Sequence, residues 1–165
     1  MVDYASELIQ RYKNKGLLID TNLLLLYFIG MYDPDRIPKF KRTMAFTIDE
    51  FLLLVIICNE FDKVVTTPNV LTEVSNLSGQ LPRNLRTDFY LDFAIRIPRL
   101  HEEYTASTSI SGSTHFKDFG LTDSGIVETV KGNYLVLTTD LELFGFLQNL
   151  GIDAINFNHI RTLAW

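Results

Sequence analysis

The chain has 165 residues, of which 47% are hydrophobic and 21% are charged, and its formal net charge is −5. This length and composition predict one globular domain, over residues 1–165, with a sizeable core. The negative net charge argues against broad, sequence-independent binding of nucleic acid through one basic surface. It does not exclude a nuclease, because catalytic carboxylates and their metals concentrate charge locally.

Membrane-spanning and secreted proteins fit this sequence poorly. No apolar stretch reaches the length of a membrane span, since Asp20, Thr21 and Asn22 interrupt the longest one. The first residues lack the apolar centre of a secretory signal. The single cysteine, Cys58, lies in an apolar run and predicts a buried thiol. We therefore expect a cytoplasmic protein without a membrane partner.

The first half of the chain alternates helix-like and strand-like segments. Short apolar or β-branched runs predict strands, and longer runs with helical spacing of apolar positions predict helices. In chain order these are a helix at 3–13, a strand at 17–20, a helix at 22–30, a helix at about 47–60 and a strand at 63–67. Thr67 and Pro68 are typical of a helix start and indicate a further helix ending near 77.

The second half continues this alternation. Residues 81–104 mix arginine with aromatic and aliphatic residues and predict a partly helical segment, whereas the Ser/Thr-rich 105–116 predicts a surface loop. The remaining elements are a helix at 122–131 capped by Thr122 or Asp123, a strand at 134–140, a helix at 141–150 and a strand at 153–157. Such alternation predicts an α/β three-layer sandwich, with a central, largely parallel β-sheet flanked by helices.

Four acids are placed where predicted strands meet predicted helices. Asp20 and Asp140 each end a strand, Asp123 opens a helix, and Glu73 lies in the first turns of the helix after 63–67. In an open α/β sheet these junctions gather at the carboxyl ends of the strands, where ligands bind. Acids brought together there repel one another unless a cation lies between them, and Mg²⁺ prefers oxygen ligands. The pattern favours an acidic metal site.

Each acid also has a purely structural explanation. Asp123 and Asp140 are good helix N-caps, worth about 1 kcal/mol each without any function. Glu73 alone is typical of a solvated helix residue. Asp20 is the hardest to explain in this way, because it interrupts the most apolar run and burial of an unpaired carboxylate costs several kcal/mol. Unrelated helix caps therefore stay open as the alternative to a metal site.

The segments LLIDTN, TTPNVLTEV, LTDSGIVETVKGNYLVLTTDLELF and IDAINF, in this order, resemble a PIN domain. The resemblance covers nearly the whole chain and places the acidic positions of that family at Asp20, Glu73, Asp123 and Asp140. It implies a PIN-like fold and a nuclease dependent on Mg²⁺ or Mn²⁺ that most often acts on RNA. The long spacing from Asp20 to Glu73 departs from the compact bacterial toxins of the family and implies an added helical element around 31–60.

The resemblance also implies a catalytic role for all four acids. Asp20, Asp123 and Asp140 are the expected metal ligands, and Glu73 is expected to reach the metal through water. Such a site activates water for in-line attack on phosphorus and stabilises the charge that develops there.

Three polar residues beside the acids are expected to support them. Asn22 and Thr139 match polar positions next to the first and last acid of the family, and Ser124 follows Asp123 directly. We expect them to orient carboxylates or a phosphate. Asn22 is equally able to cap the helix that follows it.

Two further segments have a functional and a structural interpretation. In 83–99, arginines alternate with aromatic residues and could bind an RNA strand by charge and stacking. The residues concerned are Arg83, Arg86, Arg96, Arg99, Phe89, Tyr90 and Phe93. We favour a helix with a core-facing aromatic side and solvated arginines. The apolar run at 51–58 fits a dimer interface and a buried helix equally well.

We therefore expect a PIN-type endoribonuclease, the toxin of a toxin–antitoxin or phage-defence pair. The expected partners are an RNA substrate, a small antitoxin or other protein, and a second copy of the chain in a homodimer. The alternative from another class is a catalytically silent PIN-like module that binds RNA or protein, although a scaffold has no need for the four acids. Another Mg²⁺-dependent phosphate enzyme or a receiver-like fold ranks last, because Asp-Thr-Asn lacks an Asp-x-Asp pair.

Overall fold

The computed structural model describes residues 2–162 and shows an α/β fold around a five-stranded sheet. In chain order the strands are β1 (Leu17–Ile19), β2 (Val64–Thr66), β3 (His101–Glu102), β4 (Leu135–Thr138) and β5 (Ala154–Asn156). Every pairing is parallel, and the order across the sheet is β3-β2-β1-β4-β5. The predicted α/β sandwich is confirmed, and its sheet is wholly parallel.

Helices connect the strands and flank the sheet. In chain order they are α1 (Val2–Tyr12), α2 (Thr21–Tyr32), α3 (Ile48–Asn59), α4 (Pro68–Ser78), α5 (Arg83–Arg96), α6 (Ser107–Ser111), α7 (Phe116–Val130), α8 (Leu141–Asn149) and α9 (Phe157–Arg161). Short 3₁₀ helices lie at Pro34–Lys39 and Ile97–Arg99. Within residues 2–162, none of these helices combines the length and the apolarity needed to cross a bilayer.

The centre of the fold is the continuous segment β1–α2. All three side chains of β1 are buried, as expected for a middle strand of a parallel sheet with helices on both faces. The helix begins where it does because Asp20 caps it, its Oδ1 accepting the Leu23 amide at 2.8 Å. Most of α2 is buried as well. Asp20 is therefore flanked by core on both sides.

The added helical element predicted for 31–60 is present, and α3 is its main part. The helix starts at a capping box in which Thr47 and Glu50 exchange side-chain to backbone hydrogen bonds of 2.8 and 3.1 Å. One face of α3 is buried, which confirms the buried-helix interpretation of that face. Cys58 lies on it, and burial raises the pKa of its thiol to about 12. The predicted buried cysteine is confirmed.

Two local predictions were wrong and one was incomplete. The segment 105–116 contains α6 rather than only a loop, because Ile110 is buried and anchors it. The helix predicted to open at Thr122 or Asp123 is the second part of α7: Gly120, with a φ of 70°, separates it from a first turn at 116–119 that was not predicted. The last strand ends before Phe157, since the Asn156 side chain accepts the Asn158 amide at 2.9 Å and starts α9 there.

Candidate acidic site at the carboxyl edge of the sheet

The strand order creates a crevice between the carboxyl ends of β1 and β4. The chain runs outward from β1 to β2 and β3, then returns to place β4 on the other side of β1. In open α/β sheets, ligands bind at such a reversal, outside the carboxyl ends of the strands. Asp20 follows β1 directly, and Asp140 lies two residues beyond Thr138 at the end of β4. Two of the four predicted acids therefore flank this crevice.

Asp20 ties the two central strands together. Its side chain is 4% exposed, so it is buried rather than open at the edge. While Oδ1 caps α2, Oδ2 accepts the Thr138 hydroxyl at 2.6 Å, the Thr139 amide at 2.8 Å and the Thr139 hydroxyl at 3.4 Å. Burial raises the pKa of Asp20, these hydrogen bonds lower it in part, and the charge of Asp140 raises it further. The carboxylate is thus desolvated but well paired.

Asp140 caps the helix that leaves β4 and is connected to Asp20. Its Oδ1 accepts the amides of Glu142 at 2.7 Å and Leu143 at 3.0 Å, which confirms the predicted N-cap. Its own amide donates to the Thr138 hydroxyl at 2.9 Å, and that hydroxyl donates in turn to Asp20. Both capping bonds use Oδ1, so Oδ2 stays available among the contacts of the described chain.

Glu73 joins three helices on the open side of the site. Its Oε2 accepts the Thr21 hydroxyl at 2.9 Å, and its Oε1 accepts the Thr122 hydroxyl at 2.7 Å. The carboxylate therefore bridges from α4 to the start of α2 and to α7. Glu73 is not a free solvated helix residue, although its side chain is exposed.

The charges of the other three acids act on the carboxyl group of Asp123. It is half-buried on α7, directly after Thr122. Burial raises its pKa from 3.8 to about 6, and the charges of Asp140, Asp20 and Glu73, in that order, add to the effect. Asp20 and Asp140 each accept a backbone amide at a helix start, whereas within the described chain no backbone amide donates to Asp123, which lies in the first turn after the break at Gly120. Because Glu73 bonds the neighbours of Asp20 and Asp123, and Thr138 links Asp20 to Asp140, the predicted acids lie together, and only two of them act as caps.

The donor set is compatible with a hydrated cation but is not a closed cage. Within residues 2–162, no three His, Cys, Asp or Glu side chains are grouped tightly enough to hold a metal ion by themselves. The hydrogen bonds nevertheless hold the acids in one place, because Glu73 bonds Thr21 and Thr122, the neighbours of Asp20 and Asp123, and Thr138 links Asp20 to Asp140. Mg²⁺ keeps several waters and takes only one or two carboxylates from most proteins. Oxygen donors of this kind fit such an ion.

The three predicted supporting residues have different outcomes. Thr139 contacts Asp20 through its amide and hydroxyl, as a residue that orients this carboxylate would. Asn22 is exposed and does not cap α2, since Asp20 does so, and that alternative was wrong. Ser124 is fully buried, and within the described chain its Oγ has no hydrogen-bond partner. It does not orient an acid.

Three threonines of the site were missed by the sequence-based prediction. Thr21 and Thr122 hold Glu73, and Thr138 links Asp20 to Asp140. Each lies within two residues of an acid in the sequence, which is the signal that could have found them. Threonine at the end of a strand is common for packing reasons, so its hydroxyl alone does not indicate a site.

The arginine-rich helix α5 is built around its aromatic side. Phe89 and Phe93 are buried, and the Tyr90 hydroxyl donates to a backbone carbonyl of α4 at 2.9 Å. This confirms the core-facing interpretation. The arginines are not all solvated as expected: Arg96 forms a two-bond pair with Asp92 at 2.6 and 3.0 Å.

Comparison with known proteins assigns no family to this chain. No protein-family model matches it, and a search of curated proteins finds no match. The resemblance to PIN domains therefore stays a prediction based on the order and placement of the motifs.

Proposed function

We propose that the chain is a PIN-type nuclease that hydrolyses RNA phosphodiester bonds with Mg²⁺ or Mn²⁺. The observation that supports this best is that hydrogen bonds through three threonines, Thr21, Thr122 and Thr138, connect Glu73 to the neighbours of Asp20 and Asp123 and connect Asp20 to Asp140, beside the crevice between β1 and β4. Capping explains Asp20 and Asp140 one at a time. It does not explain why Glu73 and Asp123, which cap nothing, face the same place. A repulsive cluster of this kind is typical of a site that binds a cation.

In this proposal each of the four acids would have a distinct role. Asp123 and Asp140 would hold the cation, and Asp20 would contribute through Oδ1, which accepts one hydrogen bond whereas Oδ2 accepts three. A divalent cation there supplies activation of water and neutralisation of charge on phosphate oxygens. Asp20 also fixes the spacing of β1 and β4 through Thr138. Glu73, held by two threonine hydroxyls, can orient a water and accept its proton.

Metal-dependent RNA cleavage tests this proposal directly. We compare wild type with Asp123→Asn, Asp20→Asn and the control Asp88→Asn, an exposed carboxylate on α5. Wild type and the control should cleave in Mg²⁺ or Mn²⁺ and stop in EDTA, whereas the two site variants should lose on the order of 100-fold or more. Unfolding midpoints of all four proteins exclude loss of fold as the cause. Equal cleavage by all four would overturn the assignment.

A binding module that does not cleave is the second candidate. Two observations favour it: Asp20 is already used in internal hydrogen bonds, and within residues 2–162 no three-acid group is preformed for a metal. Calorimetric titration with Mn²⁺ separates the candidates. Heat of binding at millimolar metal, lost in Asp123→Asn, supports the nuclease; no binding at that concentration supports the module.

We extend the nuclease proposal to the toxin half of a toxin–antitoxin or phage-defence pair. An unrestrained ribonuclease damages the cell that makes it, so such an enzyme needs a controlling partner. A small protein encoded beside this chain, with a basic DNA-binding half, is the expected antitoxin. Co-purification of the two proteins and loss of cleavage in the complex test this extension.

A further inference from the structure

A second recess lies next to the acidic site, between the start of α4, the segment after β3, and α7. Its lining includes Thr67, Asn69, Tyr104, Thr105, Gly125 and Thr129. Asn69 precedes Glu73 by four residues on α4, so the two side chains lie one helical turn apart on one face. Gly125 follows Thr122, which bonds Glu73, by three residues on α7. The recess therefore adjoins Glu73.

The interior of the recess is small, and polar side chains line it together with Pro68 and Ile110. Its volume is about 20 Å³, which is room for one water-sized group. The Thr129 hydroxyl oxygen is buried, and within the described chain it has no hydrogen-bond partner. The Asn69 amide also faces this space, since a Cβ placed on Gly125 would lie 3.4 Å from its Nδ2. One donor–acceptor amide and one unpaired hydroxyl thus meet in a space that fits a single polar group.

The mouth of the recess carries an exposed aromatic ring. Tyr104 is 76% exposed, and no other large hydrophobic residue within residues 2–162 is more exposed. No lysine or arginine lines the recess within residues 2–162. A flat exposed ring beside an uncharged recess of mixed polar and apolar lining suits a nucleobase rather than a phosphate.

We propose that this recess binds a nucleobase of single-stranded RNA, on a nucleotide beside the scissile phosphate. The ring of the base stacks on Tyr104, and its exocyclic amino or carbonyl group enters the recess to bond Asn69 and Thr129. Stacking tolerates every base, whereas the amide and the hydroxyl discriminate between exocyclic groups. The inference rests on the proposed nuclease function and adds a preference for the base next to the cleavage site.

Affinity for short RNA tests the recess without relying on cleavage. We use full-length Asp123→Asn protein in Mg²⁺ and measure fluorescence anisotropy with labelled hexamers of U, C and A. Added Tyr104→Ala should weaken binding on the order of tenfold for every hexamer. Tyr104→Phe, which keeps the ring, should restore it. The matched control is Tyr4→Ala, an exposed tyrosine on α1 that is 50% exposed.

The variant Asn69→Ala tests discrimination between bases. It should change the ranking of the three hexamers more than their mean affinity, because it removes the group that reads the base edge. Gly125→Ala should act in the same direction, since its Cβ would fill the space beside the Asn69 amide at 3.4 Å from Nδ2 and lie in tight contact, 3.3 Å, with Ile110 Cδ1. Neither variant should lower the unfolding midpoint by more than the Tyr4→Ala control if the effect comes from the recess.

Cleavage by the otherwise wild-type chain separates failure of the recess from failure of the nuclease. Cleavage with unchanged KM and unchanged sequence preference in Tyr104→Ala and Asn69→Ala would overturn the recess and leave the nuclease standing. Tyr104-dependent binding without any cleavage would support the recess and overturn the nuclease. Absence of binding of all hexamers at micromolar protein would overturn the recess as well.

Discussion

The two sides of the acidic site are built in different ways. On the sheet side, Asp20 is buried and joins β1, α2 and β4 through several hydrogen bonds. On the helix side, Glu73 is exposed and joins α4 to α2 and α7 through two threonine hydroxyls. A carboxylate of the first kind is part of the fold as much as of the site. We expect a change of the second kind of carboxylate to have little effect on the fold.

The substitution Asp20→Ala should have the largest effect and tests whether the buried carboxylate supports the fold. The change removes the cap of α2 and leaves the Leu23 amide and the Thr138 hydroxyl without their acceptor in a buried place. We expect a loss of about 2–3 kcal/mol in the free energy of unfolding, since a lost cap and two unpaired buried donors act together. Urea unfolding followed by circular dichroism measures it. A loss below about 0.5 kcal/mol would show that these bonds do not hold the centre of the fold.

Addition of divalent metal should stabilise the protein by a smaller amount. A cation that binds only the folded chain raises the free energy of unfolding by about 1.4 kcal/mol when its concentration is tenfold its dissociation constant. It should do so because it relieves the repulsion between the acids around Asp123. Thermal unfolding in EDTA, Mg²⁺ and Mn²⁺ measures the shift, with Asp88→Asn as the control. A shift of the same size in Asp123→Asn would place the bound metal elsewhere.

The pH dependence of Asp123→Asn should report the same repulsion without metal. In the folded wild type this carboxyl ionises at a pKa of about 6, against 3.8 for the ordinary group. The contribution of the neutral form to stability is therefore complete below about pH 4 and is lost as the pH rises through 6. Asparagine stays neutral at every pH. At pH 7.5 the free energy of unfolding of the variant should therefore exceed that of wild type by roughly 1 kcal/mol, a value reduced for solvent screening, and at pH 4 the two should be nearly equal.

Urea midpoints of wild type and Asp123→Asn in EDTA at the two pH values measure this difference. The comparison between proteins at each pH removes the contribution of every other titrating group. A variant that is less stable than wild type at pH 7.5 would show that the Asp123 carboxylate is not repelled by its neighbours.

Much of this architecture was predictable because it follows from local patterns. Three segments combine a buried apolar strand with a helix start directly after it. They are the strand at 17–20, the strand at 63–67 followed by Thr67 and Pro68, and the strand at 134–140 that ends at Asp140. Parallel strands then bring their carboxyl ends to one edge without further information. The placement of Asp20 and Asp140 beside one crevice is therefore a consequence of pattern and topology.

The parts that were missed depend on contacts between distant segments. Strand β3 has two residues and pairs only because β2 lies beside it, so its sequence carries no strand pattern. Thr122 meets Glu73 across 49 positions of sequence. The turn at 116–119, which a break at Gly120 separates from the helix carrying Asp123, was also missed. Such features arise from tertiary packing, which overrides local propensity.

The substitution Glu73→Gln, on the helix side of the site, should have the smallest effect on stability. Glutamine keeps one carbonyl oxygen for a threonine hydroxyl, and the bonds it weakens are exposed, so we expect a loss of about 0.5 kcal/mol or less in the free energy of unfolding. RNA cleavage should nevertheless fall by on the order of 10- to 100-fold, because an amide cannot accept a proton from water.

Thr21→Val separates the position of the Glu73 carboxylate from its charge. Valine removes one of the two hydroxyl donors while leaving the charge in place. If position matters, cleavage by Thr21→Val should fall severalfold at unchanged pH dependence, whereas Glu73→Gln should also change the pH profile. Equal stability losses for Glu73→Gln and Asp20→Ala would remove the distinction between the two sides, since it would mean that the exposed carboxylate supports the fold as strongly as the buried one.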